Sequence, residues 1–353
     1  MISEADIKFP DIPFIKTAAL ILVGLGIYFT YLYMVGFGSI KEALATTNYL
    51  FILAAFIMAL IANVFHAAGW WVLLKEMGYK IRLSRAYQIY LACIFFVNLI
   101  PSAAVSGEVA KIYFIQKSVP GTRFDKILAA GLLSRLLEIV PVALGAIIGV
   151  AYLALYFNIP LWALMFCALI AFGIAAAAAL VLAISLNKGL LRKITASIVR
   201  LLHKVTKGKG LDERLEHLDA VVCQFDESLR YITGNKKLII MSLALIIAAF
   251  ICDVSVAYIA FMAIGTAVSP GVIMTIFSIM VILQLLPTFL PGGVGLVDIV
   301  MTMLYRSMGV PSIQAAGATI LIRLVTLWFL TATGGFMTLY LARHVEKMAS
   351  NGK

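Results

Sequence analysis

Apolar residues in this 353-residue chain come in blocks long enough to cross a lipid bilayer, and no other feature limits its possible folds so severely. Long runs fall near 13–34, 48–74, 127–157, 161–186, 237–264 and 313–342. At about 1.5 Å of helical rise per residue, each covers a hydrocarbon core of about 30 Å. The chain is 63% hydrophobic and 13% charged, against about 45–50% and about 25% in soluble domains. Such a surplus cannot be buried inside one water-soluble particle, so a soluble enzyme is excluded. The expected fold class is all-α, a polytopic membrane bundle. Pro141, inside the third run, is expected to bend its helix without ending it.

Four further apolar pieces are too short to span. Residues 86–100 stop at Pro101 and 103–117 follow; residues 271–286 stop at Pro287 and 294–306 follow Pro291. Pieces of about 13–16 residues reach only about 20–24 Å. Consecutive half-length helices broken by Pro and Gly read as re-entrant hairpins, tolerated where protein or water covers them. The expectation is six full spans and two hairpins, forming a single integral membrane domain.

Basic residues set the direction of threading. Lys75, Lys80, Arg82 and Arg85 follow the second span, the connector 187–237 is rich in Lys and Arg, and Arg343, Lys347 and Lys353 close the chain. The opposite loops hold Lys41 and Arg306. Both termini are therefore expected in the cytoplasm, in a multi-pass protein of the cell membrane. The formal net charge of +11 reads as an orientation and anionic-lipid signal, and no nucleic-acid partner is expected. The first 16 residues lack the basic start and small-residue cleavage site of a signal peptide, so the first helix is expected to stay. Within the connector, Leu211, Leu215, Leu218, Val222, Phe225, Leu229 and Ile232 form one helical stripe, facing the bundle, the lipid surface or a partner. Cys93, Cys167, Cys223 and Cys252 lack metal or disulfide spacing and read as small apolar residues.

The chain also repeats itself. Gly107 precedes Arg135 by 28 residues, and Gly295 precedes Arg323 by the same interval. A Pro-containing break comes before each glycine, and an acid follows each, Glu108 directly and Asp298 three residues on. Upstream, the spans at 48–74 and 237–264 carry Asn63 and Asp253. A first repeat over about 48–157 and a second over about 237–342 are thus offset by about 188 positions. Three full spans separate the hairpins, an odd number, so the two copies face opposite ways. Arg135 lies about 12 Å into its helix from one side and Arg323 about 15 Å from the other. Broken helices of inverted repeats meeting at the midplane are the architecture of alternating-access transporters.

Seven ionisable residues fall at membrane depth: Glu108, Lys111, Arg135, Glu138, Asp253, Asp298 and Arg323. Exposed to lipid they would cost on the order of 20 kcal/mol together, so they face one another or a wet cavity. They can simply pair, Glu108 with Lys111 and Arg135 with Glu138 at three-residue helical spacing. They can also bind, since arginine offers bidentate recognition of phosphate. The hairpin tips add half-helix N-termini, where free N–H groups attract anions. Ser102, Ser106 and Gly107 in the first tip, and Gly292, Gly293 and Gly295 in the second, would let a headgroup approach the backbone. Asn98, Gln284 and Thr288 flank the tips as possible hydrogen-bonding groups. Alternatively, Pro and Gly there only make the turns. Asp253 and Glu108 are candidates for ion coupling. His66, the only histidine within a span, reads as packed. No metal-binding, nucleotide-binding or nucleophile motif is present, so no metal and no cofactor are expected, and an enzymatic role is not the leading expectation.

Pro101 through Lys111 with Ser134-Arg135-Leu136-Leu137-Glu138, then Leu286-Pro287, Pro291-Gly292-Gly293-Val294-Gly295-Leu296-Val297-Asp298 and Arg323, resemble the flippase-like transmembrane family. That family is named for the membrane region of lysylphosphatidylglycerol synthase. The similarity covers nearly the whole chain. It implies an integral membrane protein handling lipids or lipid-linked headgroups, with a separate synthase or glycosyltransferase as a possible partner. Asp298 stands where the second motif usually has Glu, and Ser106-Gly107 where the first usually has paired glycines. No soluble aminoacyl-transfer domain is expected after residue 342. The leading expectation is a lipid flippase or transporter, with Arg135 and Arg323 holding a phosphate and Glu108 and Asp298 neutralising them when the site is empty. The alternatives are an ion-coupled carrier of a small solute and a membrane-embedded transferase on a lipid-linked substrate.

Overall fold

The computed structural model of the chain describes residues 47–100, 105–119, 121–156, 234–285 and 290–351 in continuous stretches, with scattered positions elsewhere. The expected spans at 13–34 and 161–186 and most of the connector 187–237 lie outside the described residues. Within them the chain is helical and contains no strand.

Helix α1 spans Tyr49–Glu76. Its first turn is capped by Asn48, whose side chain accepts the Leu50 N–H at 3.0 Å, which satisfies one of the unpaired donors at a helix start. Helix α2, Leu83–Leu99, ends just before Pro101, and α3 follows over Val105–Ser118. Helix α4 runs over Phe124–Tyr156 with Pro141 inside it, so the proline does not terminate the span.

The second half opens with α5, Lys236–Ala263, and α6, Pro270–Leu285. Pro270 suits the first position of α6, where its missing N–H is not needed. A 3-10 turn at Pro291–Gly293 leads into α7, Leu296–Ser307. Helix α8, Ser312–Arg323, continues through a π-helical turn at Leu324–Phe329 into α9, Leu330–Asn351. Among the described residues, four segments are long and apolar enough to cross a membrane: α1, α4, α5 and the continuous Ser312–Arg343. The helices α2, α3, α6 and α7, with 17, 14, 16 and 12 residues, fall short of the roughly 20 residues a span needs.

Helices α1 and α5 form the central pair and run antiparallel. At one end Asn48 N–H donates to Ala263 O at 2.9 Å, and toward the other Ser242 Oγ donates to Gly69 O at 3.0 Å. Gly69 allows this approach, because a Cβ there would come within 2.9 Å of Ile246. Around that pair the halves exchange partners: α2 packs on α9, and α6 packs on α4. Glycines make both contacts close. A Cβ on Gly334 of α9 would strike the Leu91 carbonyl of α2, and one on Gly149 of α4 would strike Thr275 of α6.

Outward faces are apolar. Leu50, Leu53, Ile57 and Ile61 of α1 and Ile240, Ile251 and Met262 of α5 are exposed. Such rows suit hydrocarbon and would be a liability in water. At the other end of α1, Tyr79 ties the turn into α2 to the start of α4: its hydroxyl accepts the Arg123 N–H at 3.0 Å. Burial pushes the Tyr79 hydroxyl pKa up, so it stays a neutral hydrogen-bonding group. Ile232, last in the connector's apolar stripe, is fully buried in the core with Trp70 and Phe96. Close by, Ser228 Oγ donates to Asp125 at 2.7 Å.

Candidate functional site: two charge centres at membrane depth

Helix α3 starts two residues before Gly107, and the first turn carries Glu108. Gly107 and Ser106 seat it against α2. A Cβ at Gly107 would collide with Val97, and Ser106 Oγ donates to Phe96 O at 3.0 Å. Gly131 of α4 leaves the space for the Glu108 carboxylate, which a Cβ there would meet at Oε2. Glu108 Oε1 accepts from Lys111 Nζ at 2.8 Å and from Arg135 Nε at 3.1 Å. Arg135 turns its other edge to Glu138, NH1 to Oε2 at 3.0 Å. Both three-residue pairs expected from the sequence are thus present, and Arg135 joins them across helices.

Lys111 is almost wholly buried. Besides Glu108, its ammonium lies 5.2 Å from the Trp70 ring centroid and 5.3 Å from that of Tyr90. Aromatic faces attract a cation in this range, which helps a point charge survive away from water.

The network continues into the central helix pair through His66, which the sequence reading left aside. His66 Nε2 lies 2.9 Å from Asp253 Oδ2, and His66 Nδ1 lies 3.8 Å from Glu138 Oε1. His66 sits about 15 Å from the Glu76 end of α1 and Asp253 about 15 Å from the Ala263 end of α5. Helical side chains lean toward their own N-terminus, and in an antiparallel pair that brings these two together. Asn63, three residues before His66 on α1, donates to Ala59 O at 2.7 Å within its own helix.

The second centre lies between α7 and α8. Gly292, Gly293 and Gly295 all have positive φ, at 57°, 65° and 86°, a region glycine enters without steric cost. The resulting turn aims the Gly292 carbonyl at Arg323, which donates to it from NH2 at 2.6 Å and to Asp298 Oδ1 from Nε at 2.8 Å. Asp298 Oδ2 accepts the Gly295 N–H at 2.7 Å. The carboxylate therefore caps its own helix and neutralises the guanidinium at once. Below it, Thr302 Oγ1 bonds both Asp298 O and Thr319 Oγ1.

Of the remaining sequence candidates, Asn98 donates to Thr331 Oγ1 at 2.8 Å, linking α2 to the end of the π turn. Gln284 is exposed near the end of α6. Ser102 and Thr288 lie outside the described residues. Among the described residues no three His, Cys, Asp or Glu side chains converge to hold a metal ion.

The two centres differ in access. The side chains of Arg323 and Asp298 are 6% and 5% exposed, whereas Arg135 is 29% and Asp253 27% exposed. A guanidinium and a carboxylate at these positions cannot face bare hydrocarbon at low cost.

These features define a class: polytopic, all-α integral membrane proteins with paired charges inside the bundle. The chain belongs to the family of lysylphosphatidylglycerol synthase transmembrane regions, which it matches over residues 17–334. It is similar to a UPF0104 membrane protein of Methanothermobacter thermautotrophicus, with 26% identity over 90% of this chain and 94% of the relative. UPF0104 membrane proteins of Pyrococcus horikoshii and Methanocaldococcus jannaschii share 22% each, over 92% and 94% of this chain and 97% of each relative.

Proposed function

We propose that the chain is a lipid flippase or lipid transporter, moving a polar, anionic, phosphate-bearing headgroup across the cell membrane while the acyl chains stay in lipid. The single observation that carries this reading is the half-open charge centre around Arg135, a guanidinium with part of its surface free at membrane depth. Family membership supports the lipid as the class of cargo. In this reading Glu108 and Glu138 hold the guanidinium until a phosphate replaces them, and Asp298 does the same for Arg323. Ser106, Gly107, Gly292, Gly293 and Gly295 shape the tips that the headgroup passes. A separate synthase or glycosyltransferase would supply or consume the lipid.

The same reading takes the two halves as an inverted repeat with re-entrant hairpins and both termini in the cytoplasm. The exchange of partners between halves supports this, since α2 on α9 and α6 on α4 are equivalent contacts under a two-fold axis that passes between the antiparallel α1 and α5, perpendicular to both. A detail of register supports it too. Gly107 and Arg135 are each 188 positions from their counterparts, but Gly145, which packs on Phe250 of α5 and Ser278 of α6, is 189 from Gly334, which packs on α2. The wider hydrogen-bonded ring of the π turn at Leu324–Phe329 takes up one extra residue between them.

Leaflet exchange by purified protein in vesicles tests the proposal. Loss of the guanidinium in Arg135→Ala should slow exchange on the order of tenfold to a hundredfold, the equivalent of one or two charge-assisted hydrogen bonds. Exchange at the full rate by a correctly folded Arg135→Ala protein defeats the assignment.

A further inference from the structure

We propose that His66, set between Asp253 and Glu138, is the proton-binding residue that couples this transport to a transmembrane proton gradient. The inference rests on the lipid-transport reading above and extends it to an energy source. Three observations carry it.

The first is geometric. The His66 ring lies between two carboxylates on two different helices, Asp253 of α5 at 2.9 Å and Glu138 of α4 at 3.8 Å. On the Asp253 side a hydrogen bond is made. On the Glu138 side it is not: His66 Nδ1 and Glu138 Oε1 are both buried, face each other, and have no hydrogen-bond partner. Two opposed lone pairs are a poor way to leave buried polar atoms. One added proton on the ring converts them into a donor and an acceptor.

The second is the count of charges. Among the described residues, the groups facing His66 are Asp253 on α5, Glu138 and Arg135 on α4, and the Tyr90 ring on α2, stacked at 5.9 Å. Beyond Arg135 come Glu108 and Lys111 on α3. Three carboxylates thus share two permanent cations, and Lys111 is held by Glu108 and two aromatic rings. With His66 neutral the cluster carries one excess negative charge; with His66 protonated it balances. An anionic headgroup meets less repulsion in the balanced state.

The third is connectivity. His66 on α1 joins Asp253 of the second half to Glu138 of the first, and Glu138 is also the partner of Arg135 NH1. A proton arriving from water adds to the free ring nitrogen and creates an N–H donor aimed at Glu138 Oε1. Glu138 is then divided between imidazolium and guanidinium, and one edge of Arg135 is released for a phosphate. When the proton leaves, Glu138 returns to Arg135 and the phosphate is displaced. Proton and headgroup each favour binding of the other, as linkage requires. Exchanging the two ring nitrogens changes nothing, because a carboxylate stands on either side.

The test uses the full chain in phosphatidylcholine vesicles doped in turn with tail-labelled phosphatidylglycerol, phosphatidylserine or phosphatidic acid. The membrane potential is clamped to zero, a pH difference of about one unit is imposed, and the leaflet ratio of the label is followed. One coupled proton per lipid sustains a ratio of up to about tenfold per pH unit. The wild type should build such a ratio, while His66→Gln should exchange lipid only to equal leaflets. Wild-type exchange that ends at equal leaflets despite the gradient overturns the proton site and leaves lipid transport standing. Absence of exchange with all three lipids overturns the transport reading and the coupling with it. A gradient response by His66→Gln equal to wild type also overturns the proposal. Should that variant fail to fold, Asp253→Asn takes its place, with loss of the gradient response supporting the proposal and a full response overturning it.

Discussion

Arg135 and Arg323 occupy matching places in the chain, 28 residues beyond a glycine, yet they are held in opposite ways. Arg323 is closed in by one carboxylate and one backbone carbonyl and is nearly sealed. Arg135 bridges two carboxylates on different helices, belongs to a six-residue network reaching His66 and Asp253, and keeps part of its surface open. The first arrangement holds the guanidinium through Nε and NH2 within its own half and acts as a lock. The second leaves orphaned atoms at its edge, and on the transport reading it is the site. On the transport reading, one sealed and one open centre is how a single state of an alternating pair should look.

The largest expected effect breaks the sealed centre. Arg323→Ala leaves Asp298 buried with, among the described residues, the Gly295 N–H as its side chain's remaining partner. Removing one member of a buried ion pair costs about 3–5 kcal/mol, so the unfolding midpoint of the purified protein should fall steeply. Arg323→Met combined with Asp298→Leu should recover part of that loss, since a buried pair is replaceable by apolar groups. The Gly292 carbonyl and Gly295 N–H would still lose their partners, so recovery should stop short of wild type.

Next comes the open centre. In Arg135→Ala the same truncation should lower the unfolding midpoint much less than at Arg323, because the Arg135 side chain is less deeply buried and Lys111 still neutralises Glu108. Lipid exchange should instead carry the damage. If the two alanine variants destabilise the fold equally, the contrast between lock and site is lost.

Gly131→Ala probes the contact that keeps Glu108 beside Arg135. Its new methyl would meet the carboxylate, and the flexible end of Glu108 would move away from α4. The expected cost is about 1–3 kcal/mol, the range for overpacking a filled site, with slower exchange as Glu108 loses Arg135. Gly78→Ala, at a glycine with nothing near its Cβ direction but with φ of 88°, provides a control for backbone strain alone.

What could be read from the chain follows from which forces are local. Hydrophobic blocks report burial in lipid whatever packs beside them, so α1, α4 and α5 start and end within a few residues of the apolar runs. Proline and glycine act on their own backbone, so the breaks between α2 and α3 and before α7 were legible. So were Glu108–Lys111 and Arg135–Glu138, which one helical turn enforces. His66 with Asp253 was not, because its 187-residue separation is closed only by the antiparallel packing of α1 on α5. A signal existed: that interval is one short of the 188 residues separating Gly107 from Gly295 and Arg135 from Arg323. The π turn carries no Pro or Gly within Leu324–Phe329, and only the one-residue slip in the glycine register betrays it. The capping role of Asp298 was hidden by its other role as partner of Arg323.

The smallest expected effect falls on the seam joining the halves near both centres. Asn98 of α2 donates to Thr331 Oγ1, and the Thr331 hydroxyl donates in turn to Leu327 O at 2.6 Å, within the π turn that follows Arg323. Thr331→Val keeps the shape and removes both bonds. Interhelical hydrogen bonds in membrane proteins average about 0.6 kcal/mol and reach about 1.7, so the unfolding midpoint should drop only slightly. Exchange decides what the seam does. If α2 and the π turn slide past each other when the centres trade states, a weakened seam should speed exchange while Asn98 gains a free amide. If Asn98 only staples two static helices, exchange by Thr331→Val should match wild type, and the contrast between the centres would then belong to a rigid molecule.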